Sequence, residues 1–146
     1  MERAYNINEV AMMTGFTTRT LRNYLNQGLL NGEKVDGVWQ FSAENLDRFF
    51  NEPFVKEGLR IKRSSVVFDF LSDMQKSSDR ACIILDLHVS MGEGNAVSGF
   101  FCEQIKEAHD IMFNYGWDNG FSRIILSGDK QQVGRIMTAY HERYEK

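Results

Sequence analysis

Thr14-Gly15-Phe16-Thr17-Thr18-Arg19-Thr20-Leu21-Arg22-Asn23-Tyr24-Leu25-Asn26-Gln27-Gly28 decides how the first third of this chain is read. Gly15 ends a short helix, where a left-handed backbone is easy. Phe16 plugs the turn and Thr17 is placed to cap the next helix, Thr18 to Gln27, which Gly28 stops. Leu21 and Leu25, four apart, face inward. Upstream, Asn8 is expected to cap a first helix over residues 9–14 that buries Val10, Ala11 and Met13. Two short helices joined by a tight Gly-containing turn form a helix-turn-helix.

Downstream, Asp36-Gly37 is a hairpin signal flanked by two short strands within residues 33–41. A hairpin in that place is a wing. Ser42 caps a third helix over residues 43–51, with Asn45 at the reciprocal position and Leu46, Phe49 and Phe50 inward. Pro53 is read as its end.

With Leu21 and Leu25 inward, Arg19, Arg22, Asn23 and Asn26 fall on the flank and far side of the second helix. Thr18 lies nearer the inner face, at the open helix start. The planar fork of arginine suits guanine edges and phosphates, and asparagine suits adenine. Thr17 and Thr18, beside free amides at the helix N-terminus, suit a phosphate. The pattern points to double-stranded DNA, with Lys34 and Gln40 the wing's contacts and Trp39 a core residue beneath it.

Residues 5–30 resemble the DNA-binding domain of the MerR family. Residues 37–50, with Gly37, Trp39 and Phe41 in a Gly-x-Trp-x-Phe pattern, are similar to the related excisionase-type domains. The resemblance implies DNA contacts by Arg22 from the recognition helix and by Tyr24 at a phosphate. The chain departs from the MerR pattern at Trp39, where an arginine is usual, and at Asn23, where a second aromatic is. It shows no long dimerisation helix after the wing, so metal or oxidant sensing is not carried over.

Charge divides unevenly. Residues 1–63 hold nine Lys/Arg against eight Asp/Glu, and residues 64–146 hold eight against twelve. The acidic second half is a poor partner for phosphates. DNA contact must rest on where individual cations sit. Lys56, Arg60, Lys62 and Arg63 lie in a polar stretch, residues 53–63, read as a linker that touches phosphates or simply stays solvated.

From Ser64 the pattern turns helical, with Val67, Phe70, Leu71 and Met74 as one stripe. Residues 81–89 read as a central strand and Met91 to Asn95 as a Gly-containing loop. A long helical stretch follows, with Val97, Phe101, Ile105, Ala108 and Met112 on one side. Asp118-Asn119-Gly120 reads as a turn, residues 121–127 as a second strand, and residues 130–144 as a last helix with Val133, Met137, Tyr140 and Tyr144 inward. The expected fold is α+β in two small domains: a winged helix-turn-helix (1–52), then an α/β domain of α-β-α-β-α order (64–146) serving dimerisation or effector binding. A two-stranded sheet is thin, and a second copy of the chain would complete it.

Other chemistry is weakly signalled. The Gly92-Glu93-Gly94 loop lacks the spacing and the lysine of a phosphate cradle. Asp86 and His88 share a strand face with no nucleophile beside them, and read as a hydrogen-bonding pair. Cys82, Cys102, His88 and His109 have no metal-ligand spacing. Phe100, Phe101, Trp117 and Phe121 fit an effector pocket or a core equally well. No catalytic residue, metal or cofactor is assigned. No stretch approaches a membrane span and the N-terminus has no signal-like apolar run, so the chain is expected in the cytoplasm with reduced thiols.

The expectation is a transcriptional regulator that reads a palindrome as a homodimer, with a small-molecule or protein effector at the C-terminal domain. The alternatives are an excisionase-like architectural accessory and a protein-binding adaptor whose helix-turn-helix does not bind DNA.

Overall fold

The computed structural model describes residues 3–118 and 120–144. Asn119, in the turn expected at residues 118–120, lies outside them. The chain begins with α1 (Ile7–Thr14), α2 (Thr18–Gln27), β1 (Glu33–Val35), β2 (Val38–Gln40) and α3 (Ala43–Asn51). It continues with α4 (Pro53–Ser72), β3 (Arg80–Leu87), α5 (Met91–Ile105), β4 (Ile111–Asp118), β5 (Phe121–Asp129) and α6 (Lys130–Tyr144).

The first helix starts earlier than expected. Asn6, not Asn8, is its N-cap, because Glu9 sits three residues on and returns a bond to the Asn6 amide. That reciprocal pair satisfies two helix-end donors at once. Thr17 and Ser42 cap α2 and α3 as expected. Gly15 and Gly28 both take positive φ, 79° and 78°, at the helix ends.

Residues 53–63, expected as a linker, are helical. They are the first half of a twenty-residue helix, α4. Proline stops a helix but also suits the first turn of the next one, whose amides need no partner. The polar residues after it are the solvated faces of a helix whose inner side is Val55, Leu59 and Val66. A long helix does therefore follow the wing, contrary to expectation. Its outer side leaves Leu71 exposed, so the stripe expected at residues 67–74 is not the buried one.

The C-terminal order is α-β-α-β-β-α, one strand more than expected. The stretch containing Met112 is a strand rather than the end of a helix: α5 closes at Ile105, Asp110 takes φ 60°, and β4 begins. The three strands form one sheet of order β3-β5-β4, antiparallel throughout, so there is no parallel βαβ unit among the described residues. The inserted strand reverses the chain before β5 returns.

One sheet face, bearing Ile83, Leu85, Phe113, Tyr115, Ile124 and Leu126, turns toward α5 and α6. Phe101 stacks between Phe113 and Tyr140, with centroids 6.0 and 5.5 Å apart. Phe101 is thus core, not pocket lining. Residues 91–95, read as a loop, are the first turn of α5. Ser90 caps it through Glu93, and Gly94 lets the helix lie against β5. A Cβ on Gly94 would fall 2.0 Å from Ser122 Oγ and 2.9 Å from Tyr115 Oη.

Buried residues run without a break from the helix-turn-helix into the sheet. Where the two halves meet, the contact is polar as well as apolar. Tyr5 Oη donates to the Asn95 carbonyl at 2.5 Å, and Tyr115 Oη donates to Asn95 Oδ1 at 2.8 Å. Asn114 Nδ2 donates to the Thr14 carbonyl at 2.9 Å. Phe50 of α3 packs edge-on against Tyr115, 5.9 Å between centroids. Arg3 pairs with Glu9 and Glu103, joining the chain start to α5.

Two outcomes follow. Gly94→Ala should lower stability by about 1–3 kcal/mol, because the added methyl meets a short buried side chain with no room to withdraw; urea unfolding measures it, and an unchanged midpoint would contradict the close approach. Burial pushes the Tyr5 phenol up to about 12 and raises that of Tyr115 as well. Both native phenols hold their protons where the unfolded ones have lost them. Their stabilisation is therefore complete below about pH 10, the ordinary tyrosine value, and is lost as pH climbs through the folded values. Alkaline unfolding followed by circular dichroism should be less steep in Tyr5→Phe, and an identical pH profile would remove Tyr5 from the account.

Candidate nucleic-acid interface

Helix α2 is held by Leu21, fully buried, and Leu25, half-buried. Its other flank is open. Arg19, Arg22, Asn23, Asn26 and Gln27 are all exposed, and no part of the C-terminal half covers them. Neither Arg19 nor Arg22 has an ion pair or hydrogen bond among the described residues.

Nearby cations contrast with these two. Arg48 is paired with Glu44 at 2.9 Å, and Arg60 is paired with Glu57, whose carboxyl the guanidinium holds below the usual range. The basic character of the first half is thus concentrated on α2 and a few neighbours.

The Thr17 hydroxyl accepts from the Thr20 amide at 3.1 Å and bonds the Thr20 hydroxyl at 3.0 Å, so it already serves the helix end. Thr18, at the first position of α2, is half-buried. The remaining amides of this first turn carry the positive end of the helix dipole. Arg19, Arg22 and Asn23 are the predicted residues that the fold gathers on one open face.

Tyr24 is placed differently. Its ring is part of an aromatic cluster, 5.6 Å from Phe16, 5.8 Å from Phe49 and 6.4 Å from Phe54. Its hydroxyl has no protein partner among the described residues. Such a side chain braces α2 with its ring and leaves its polar tip available.

The wing turns on Asp36 and Gly37, with φ of 53° and 80°, the pair of left-handed residues that a two-residue hairpin requires. Glu33 lies opposite Gln40 and Lys34 opposite Trp39. Lys34 and Gln40 therefore point to opposite faces of the wing and do not form one contact surface. The Lys34 ammonium sits 5.5 Å from the Trp39 ring, which stacks on buried Phe41 at 6.3 Å. Phe41 in turn exchanges two 2.8 Å backbone bonds with Tyr5, tying the wing to the chain start. Trp39 packs against the core as expected.

One of the cations read from the sequence as a linker residue that touches phosphates or stays solvated also lies beside this surface. Lys62 on α4 passes beside the turn between α1 and α2, 3.6 Å from where a Cβ on Gly15 would lie. It is exposed and has no ion pair among the described residues. The sequence reading missed the helix that carries it, which the period through residues 53–72 shows once Pro53 is read as a start.

The other sequence candidates are dispersed. Asp86 makes a bidentate pair with Arg123, at 2.7 and 2.8 Å, rather than meeting His88, which lies near Phe121 past the strand end. Cys82 is half-buried and Cys102 buried, its thiol pushed up to about 12 by burial.

A bundle of three short helices with a two-stranded wing and an open, cation-bearing second helix is a winged helix-turn-helix. Residues 5–64 match the model of the MerR HTH family regulatory proteins, a match that ends within α4 and covers less than half of the chain. That family consists of DNA-binding regulators, not enzymes. The N-terminal segment is accordingly a MerR-like helix-turn-helix. No curated protein and no solved structure matches the chain. No helix among the described residues is long and apolar enough to cross a membrane.

Tyr24 offers a separation of scaffold from contact. Tyr24→Ala should cost about 3 kcal/mol of stability through loss of the ring cluster. Tyr24→Phe should stay within about 0.5 kcal/mol of the parent. Thermal melts of the two variants check this, and a large loss in the phenylalanine variant would mean the hydroxyl is bound within the protein.

Proposed function

We propose that this protein is a sequence-specific transcriptional regulator that lays α2 in the major groove, reaches the adjacent backbone with its wing, and binds a palindromic site as a homodimer. The observation that carries the reading is the pair of unpaired, exposed arginines, Arg19 and Arg22, beside Asn23 on the outward face of α2. Leaving two guanidinium groups without internal partners on one helix face is what direct readout of base edges needs. Thr17 and Thr18 at the head of α2 suit a phosphate, as do Tyr24 at its tip and Lys34 or Gln40 from the wing.

The acidic surplus of the second half supports the same division of labour. It keeps that half off the duplex and leaves the approach to α2. A dimer suits the reading because two copies related by a two-fold axis present two recognition helices to two half-sites.

Footprinting of the full-length protein on genomic fragments provides the operator. On that operator Arg22→Ala should weaken binding by about 1–3 kcal/mol and relax specificity at one base pair. Lys34→Ala should weaken binding evenly across sequences and flatten the salt dependence. Unchanged binding by the Arg22 variant would overturn the assigned face. Failure of the parent protein to bind any fragment would favour the adaptor reading instead.

A further inference from the structure

We propose that the free edge of β3 is where two copies of this chain join, continuing the sheet antiparallel across a two-fold axis. The proposal rests on the dimeric reading above and names its interface.

The two edges of the sheet are treated differently. At β4, side chains on both faces engage the helix-turn-helix: Asn114 bonds Thr14 from one face, and Tyr115 meets Phe50 from the other. Helix α1 also packs against this strand, so the helix-turn-helix flanks that edge. At the opposite edge, β3 has no strand partner beyond β5 among the described residues. Lone edges are normally blunted by proline, a bulge, shortness or charged side chains. This one has only the charges of Arg80 and Asp86 toward its ends. It pairs β5 without interruption over eight residues, and Ala81 to Leu85 are all apolar.

The sheet face beside this edge is also uncovered. Helix α4 lies mainly over β4 and β5. Ile84 is 49% exposed, Phe68 67% and Leu71 68%, and these three line one groove of about 460 Å³ between α4 and β3. An adjoining strand from a second copy would extend the sheet below the groove and bring its own Ile84 and Phe68 to close it. Burying such side chains is worth about 1.5–3 kcal/mol each.

The strand is complementary to itself in one register. Antiparallel pairing about a two-fold axis normal to the sheet places residues of like parity opposite each other, which keeps both α5–α6 layers on one side. With Ile83 on the axis, Cys82 faces Ile84 of the partner subunit and Arg80 faces Asp86 of the partner subunit. Arg80 already pairs with Asp110, and Asp86 with Arg123. The new contacts link these pairs into an alternating row of charges. Centring on Ile84 would instead set Asp86 against a thiol.

The geometry also fits the duplex. Six strands at the usual spacing put the two β4 strands about 24 Å apart. The helix-turn-helix units lie outside them, in the range of the roughly 34 Å that separates successive major-groove faces.

Sedimentation of the full-length protein should give twice the chain mass of 16.9 kDa. Ile84→Lys should halve that mass with an unchanged far-ultraviolet spectrum. Under mild oxidant, Ile84→Cys should form a covalent dimer through the partner's Cys82, and adding Cys82→Ser should abolish it. The thiol variant keeps the test decisive if the lysine variant fails to fold. A monomeric parent protein overturns the proposal, and the Arg22 experiment still judges DNA binding independently. A dimer that survives Ile84→Lys and yields no cross-link places the interface elsewhere. A cross-link that persists without Cys82 overturns the register.

Discussion

The docking of the helix-turn-helix on β4 is the constraint on which the rest of this structure depends. It is made by buried polar groups as much as by apolar ones: Tyr5 and Tyr115 both end on Asn95, and Asn114 ends on the last carbonyl of α1. Apolar surfaces slide over one another at little cost, whereas a buried donor that loses its acceptor costs about 1–3 kcal/mol. These contacts therefore fix the orientation of α1, and with it α2, relative to the sheet. The seam is not fully satisfied, since Asn95 Nδ2 and Asn114 Oδ1 have no protein partner. Those two atoms set a limit on how much the junction adds to stability, but not on how well it defines one arrangement.

How much of this was legible in the sequence follows from how local each signal is. The helix-turn-helix and wing are specified within a few residues: a threonine cap, a glycine at positive φ, two leucines one turn apart, an Asp-Gly turn. All these stand in the structure. The open face of α2 was legible for the same reason, because turning Leu21 inward turns Arg22 outward. The grouping of wing candidates was not, since alternation along a hairpin sets Lys34 and Gln40 on opposite faces once the register is known.

The C-terminal half was harder because its signals are non-local. Val97, Phe101 and Ile105 announce α5, and Ala108 with Met112 happen to continue the same spacing. Yet Phe113 and Tyr115 alternate as a strand does, and they are the residues the core takes. Only pairing with Leu126 and Ile124, more than eight residues away, decides between the two readings. Pro53 misled in a similar way. A proline marks a boundary without saying which side of it is helical, and here it is both the end of α3 and the start of α4.

With the helix-turn-helix fixed to β4, the sheet sets the spacing of two such units in the proposed dimer. Its strand order places β4, which meets the helix-turn-helix, and β3 at opposite sides of one three-stranded layer. The proposed association at β3 therefore translates into a distance between the two α2 helices. A flexible linker at residues 53–63 would have broken that relation. Instead α4 runs through them as continuous helix, bonded at one end to the helix-turn-helix and lying at the other across β4 and β5. The acidic balance of the second half then has a mechanical sense as well as an electrostatic one. In the proposed complex the sheet layer is held off the phosphates, and the unpaired cations on α2 are left to meet them.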